Sequence, residues 1–107
     1  MTFSIAARCA LTGAFGVAIS SSSPAVGARC PRVRSGIGAA SSQNVTDPRL
    51  GPAVLDALAA GAHAEAAIAQ VRAVAAFPQF RQLIVVDARG GTAHWTCLLY
   101  TSDAADE

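Results

Sequence analysis

Lysine is missing: every one of the eight basic residues in this 107-residue chain is arginine. Ala, Gly, Val and Arg are used heavily, a bias of the kind a GC-rich bacterial genome imposes through its codons. Charge of either sign is scarce, and the net charge is +1, which gives no case for a nucleic-acid or membrane-surface partner. No run of about 20 apolar residues escapes charge, so no transmembrane helix is expected. The three cysteines, Cys9, Cys30 and Cys97, include no CxxC pair, and His63 and His94 stand alone, so no metal pattern is present. The thiols read as unbridged in a reducing, cytoplasmic compartment, with a Cys9–Cys30 bridge as the alternative. What is abundant is apolar: hydrophobic residues make up 52%, enough to argue against wholesale disorder. The length fits one small domain.

The last eleven residues, CLLYTSDAADE from Cys97 to Glu107, break the pattern of the rest. They hold the one Tyr and three of the seven acids. They also read as the translation of a transposon-end sequencing adapter, residue for residue. The expectation is therefore a body over residues 1–96, cut from a longer gene, and a non-native tail over 97–107.

Along the body, Thr2–Arg8 reads as a strand, with Phe3, Ile5 and Ala7 on one face and Thr2, Ser4 and Ala6 on the other. Leu11-Thr12-Gly13 signals a turn, and Ala14–Ser20 reads as a second strand, giving an antiparallel hairpin. A leader-peptide reading competes, but Gly13 and Gly16 interrupt the apolar stretch and Arg8 lies well inside it. Ser20–Pro24 makes a loop. Arg29, Arg32 and Arg34 follow, and Ser35–Gln43 reads as another strand. Its Gly36-x-Gly38 lacks the third glycine of a dinucleotide loop, so no cofactor is expected. Asp47-Pro48 is a candidate helix start and Gly51-Pro52 a second one. Val54, Leu55 and Leu58 form an apolar face, and Gly61 is a natural stop. A second helix is expected over 63–76, with Ala64, Ile68, Val71 and Ala75 on one stripe. Glu65 and Arg72 read as solvated charges, and His63 as a residue near the helix start with a catalytic role as the sharper alternative. Arg81–Asp87 is the best strand in the chain, Ala88–Gly91 turns it, and Thr92–Thr96 returns. Asp87 reads as a local backbone partner. The expected order is strands, two helices, strands: an α+β domain.

That order, with Thr2-Phe3-Ser4-Ile5, Ala7-Arg8, Gly16-Val17-Ala18, Ala25-Val26-Gly27, Gly36-x-Gly38-Ala39, Gln43, Leu50-Gly51, Gly61, Arg81-Gln82 and Val85-Val86-Asp87, resembles the bacterial domain of unknown function 1028. The resemblance covers the body to about Thr96. It implies the N-terminal half of an N-terminal-nucleophile (Ntn) hydrolase-like αββα sandwich. It also favours a mature chain that starts at Thr2, without a leader. In such proteins the freed Thr2 would attack an amide, with its own α-amino group as base. That amine has an ordinary pKa of about 7.7–8.0, so a small downward shift would suit it to neutral pH. Arg29, Arg32 or Arg34 would supply it by charge repulsion, with Arg29 taken as the site candidate, and Ser4 shares the strand face of Thr2. Related proteases of this fold place a lysine near the nucleophile, and this chain has none. The implied substrate is a small-molecule or peptide amide. The competing reading is a non-catalytic binding module, cell-wall related. A homo-oligomer of the full-length protein stays open, and the fragment itself is expected to be inactive.

Overall fold

The computed structural model describes residues 2–44, 47–78 and 81–96; for Asn44 only the backbone is described. The adapter-like tail and Cys97 lie outside the described residues. The period-two pattern of the opening segment becomes strand β1, Thr2–Arg8, paired antiparallel with β2, Phe15–Ser21. Thr2 lies opposite Ser21, and Arg8 opposite Phe15, as the hairpin reading requires. Gly13, at φ +76°, helps close the turn, and Leu11 stands almost fully exposed at its tip.

One helical turn, α1, Val26–Arg29, then leads into β3, Pro31–Arg34, and β4, Gly38–Asn44. Here the expected strand over 35–43 is corrected. Gly36, at φ +73°, and the Ile37 N–H donated to the Arg34 carbonyl make residues 35–37 a turn. The strand before that turn is Pro-Arg-Val-Arg, a stretch for which no element is expected. It works as a strand because Arg34 pairs with Asp56 at 2.8 Å and the Arg32 stem lies hard against Gly51.

Helix α2 spans Leu50–Ala59 and α3 spans Ala64–Val74. Asp47 does not cap α2 directly. Its carboxylate accepts the Arg49 backbone N–H and is clamped by the Arg49 guanidinium, and its carbonyl accepts the Leu50 N–H, so the helix begins three residues later. The expected stop at Gly61 holds. Gly61, at φ +107°, donates to Leu58, and Ala62 donates to Ala57, a Schellman closure. The second helix ends at Val74, two residues short of the expected Ala76. Ala75 is already extended, at ψ 138°, and Phe77, the residue before Pro78, stands at φ +52°, outside the right-handed helical region that a following proline disfavours.

Strands β5, Arg81–Asp87, and β6, Thr92–Trp95, complete an antiparallel sheet in the order β3-β4-β5-β6. Helices α2 and α3 cover one face of this sheet. There Val54, Leu55, Ile68 and Val71 meet Ala40, Leu83, Val85 and Trp95 in one buried cluster. Each fully buried Val or Leu side chain in such a cluster contributes about 1.5–3 kcal/mol. The β1–β2 hairpin covers the other face, β1 over β4 and β5, and β2 over β3 and β4. The result is an α+β fold of three layers. The far face of the hairpin is bare: Phe3 is 49% and Ile5 52% exposed.

Candidate functional site

Two faces of the four-stranded sheet differ in chemistry. The helix side is mainly apolar. On the hairpin side, alternation along β4 and β5 sets Ser41, Gln43 and Gln82 among Ala39, Ile84 and Val86, and all six are buried. Strand β1 lays Ser4 onto this polar seam. Its hydroxyl, 9% exposed, donates to Gln43 Oε1 at 2.6 Å. Gln43 and Gln82 are register partners across β4 and β5. Among the described residues, Ser41 Oγ, Gln82 Nε2 and, on the helix side, Ser42 Oγ are buried without a hydrogen-bond partner. A buried polar group left unpaired costs about 1–3 kcal/mol.

Thr2 stands at the head of β1 on the same face as Ser4 and is half-buried. Its Oγ1 lies 2.9 Å from Ser21 Oγ, a contact dictated by their direct pairing in the hairpin. Thr2 and Ser4 are thus brought together on one face. The arginines are placed differently. Arg29, in the last turn of α1, donates from Nη2 to the Pro24 carbonyl at 2.7 Å. Arg32 and Arg34 occupy the helix-facing positions of β3, one against Gly51 and the other on Asp56. Those two do not line the Thr2 face.

Asp87 has the local backbone role expected of it, and a longer-range one. Its Oδ1 accepts the backbone N–H of Arg89 at 2.9 Å and of Gly91 at 2.8 Å. Its Oδ2 accepts the Ala64 N–H at 3.1 Å, the first residue of α3. Burial pushes its carboxyl up, but the three backbone donors outweigh that and hold it below the ordinary carboxylate range. His63 is exposed, with its ring 2.6 Å from Arg89 Nη1. Arg72 is exposed too, but not merely solvated: its guanidinium sits 5.7 Å from the centre of the Trp95 ring.

Elsewhere among the described residues the surface is hollowed at two further places of note. One, of about 380 Å³, lies between α3 and β6, bordered by Glu65, Ile68, Arg72, His94 and Trp95. The other, of about 60 Å³, lies by Asp87 and Leu58. Neither is lined by Thr2 or Ser4. Cys9 is exposed and Cys30 buried, and no disulfide joins them. Among the described residues, no three His, Cys, Asp or Glu side chains gather as a metal site would need, and no helix is long and apolar enough to cross a membrane.

The residues that sequence reasoning did not assign to the site are Gln43 and Gln82. The available signal was a glutamine at the end of each of two otherwise small or apolar strands, GAASSQ and RQLIVV.

Comparison with known proteins adds a family and a fold. A model of a family of unknown function, DUF1028, matches residues 2–105. The crystal structure of protein SPO2555 from Silicibacter pomeroyi, described under the same family, superposes with a TM-score of 0.85 at 34% identity. That match takes in 89% of this chain and 42% of the other, so the chain spans less than half of that relative's length. No curated protein matches.

Proposed function

Since this chain belongs to the DUF1028 family, whose function is unknown, we propose that it forms part of an Ntn-hydrolase-like amide hydrolase with Thr2 as the nucleophile. The observation that carries this reading is the position of Thr2. It is the first residue of β1, it faces the opposing sheet, and its hydroxyl is fixed by Ser21. The αββα sandwich belongs to the same proposal: the three layers described above would form its first part, and the rest of the protein would complete it.

The chemistry begins with removal of Met1, which puts an α-amino group and a hydroxyl on one residue. The neutral amine takes the Thr2 hydroxyl proton as Oγ1 bonds to the substrate's carbonyl carbon. The carbonyl electron pair moves onto oxygen, where backbone N–H groups hold the oxyanion. Collapse breaks the C–N bond, and the ammonium returns its proton to the leaving amine. Water then cleaves the acyl ester by the same steps and restores Thr2. Ser21, within hydrogen-bonding distance, orients the attacking hydroxyl. Ser4, held by Gln43, lines the floor beside it.

Intact mass of the native full-length protein is expected to show Met1 absent and Thr2 unblocked. Turnover of an acyl-amide panel, with p-nitroanilides as reporters, should fall at least 100-fold in Thr2→Ala and survive in part in Thr2→Ser. A retained Met1, or unchanged turnover in Thr2→Ala, would end the proposal. Binding of cell-wall muropeptides that persists in Thr2→Ala, with no hydrolysis of any amide, would replace it with the binding-module reading.

A further inference from the structure

Two buried polar atoms on the hairpin side of the sheet have no partner among the described residues: Ser41 Oγ and Gln82 Nε2. They are close neighbours by register. Ser41 pairs with Ile84 and Gln43 with Gln82, so Ser41 and Gln82 sit diagonally on one face of adjacent strands. Ser41 is 0% and Gln82 1% exposed, so bulk solvent satisfies neither. Their chemistry is complementary to a single small molecule. The amide N–H donates only, while the hydroxyl donates or accepts. Two such groups, buried on one face and not bonded to each other, are of the kind an internal water satisfies.

We propose that Ser41 and Gln82 hold one internal water molecule between the two sheets, beside the Ser4–Gln43 hydrogen bond. The water accepts from Gln82 Nε2 and exchanges a hydrogen bond with Ser41 Oγ. It lies beside Gln43, the register partner of Gln82, whose amide oxygen accepts from Ser4 on β1. The closed surroundings name water as the occupant, not an oxygen of a substrate. The inference does not depend on whether Thr2 is catalytic.

The test uses the full-length protein and water itself as the probe. A crystal structure at a resolution that shows ordered solvent is expected to place one water within hydrogen-bonding distance of both atoms. Oxygen-17 relaxation dispersion should count one fewer long-lived water in Gln82→Leu, and also in Ser41→Ala, the milder change should the first fail to fold. Two results would overturn the proposal. One is a side chain from elsewhere in the protein bonded to Gln82 Nε2. The other is an unchanged water count together with a melting temperature that rises in Gln82→Leu, the signature of an amide that had no partner to lose.

Discussion

Asp87 shows how one carboxylate can serve three parts of a fold. It closes the β5–β6 turn through Arg89 and Gly91 and holds the first N–H of α3 through Ala64, where its charge also suits the helix dipole. Asp87→Asn replaces one acceptor oxygen by a donor facing backbone N–H groups. The expected loss is about 2–3 kcal/mol, since hydrogen bonds to charged groups are worth more than neutral ones. Urea unfolding of the full-length protein would measure it. The pH dependence follows from the depressed carboxyl. Its stabilisation is present above the unfolded carboxylate pKa of about 3.9 and is lost as pH falls through the lower folded value. Wild-type stability should therefore drop steeply below about pH 4, and the Asn variant should show a shallower slope. The backbone role of Asp87 was legible from its place before Ala88-Arg89-Gly90-Gly91. Its reach to α3 was not, because that contact joins positions 23 residues apart. The site divides the same way. Thr2 and Ser4 fall on one face by simple alternation. Gln43 and Gln82 fall in expected strands, but nothing in the sequence tells that a second sheet covers them.

Among the elements, Gly38 on β4 is closely enclosed by β5 and α2. A methyl group on Gly38 would lie 2.6 Å from the Val86 carbonyl oxygen and 2.7 Å from Leu58 Cδ1. The leucine end can swing aside, but the backbone oxygen cannot. Gly38→Ala should cost about 1–3 kcal/mol, read as a lower urea midpoint. Trimming Leu58 in the same chain should not restore it. β1, β2, β5 and β6 were legible because apolar and β-branched residues alternate or cluster there, and turn residues bound them. β3 was hidden for a physical reason. Its arginines are polar by type, but as strand residues Arg32 lays its stem on Gly51 of α2 and Arg34 sends its guanidinium to Asp56. Gly36-x-Gly38 hid the adjoining turn in the same way, since a glycine pair inside a small-residue run fits a strand or a bend.

For the molecule as a whole, the bare face of the hairpin matters most. Phe3 and Ile5 sit half-exposed on a two-stranded sheet, an arrangement that is marginal without further cover. The 107-residue chain by itself is expected to self-associate at micromolar concentration, as light scattering behind a sizing column would show. The double change Phe3→Ser and Ile5→Thr should reduce that association and leave the inward-facing Thr2 and Ser4 in place. A wild-type chain that runs as a monomer and unfolds cooperatively would contradict this. Trp95 offers the gauge for such experiments. It is the one tryptophan of the chain, 3% exposed, with its indole N–H donated to the Pro78 carbonyl at 3.1 Å. Light emitted by this ring therefore carries a native optical signature of α3 docked on β6: bluer while the ring stays dry, redder once water reaches it, with no dye attached.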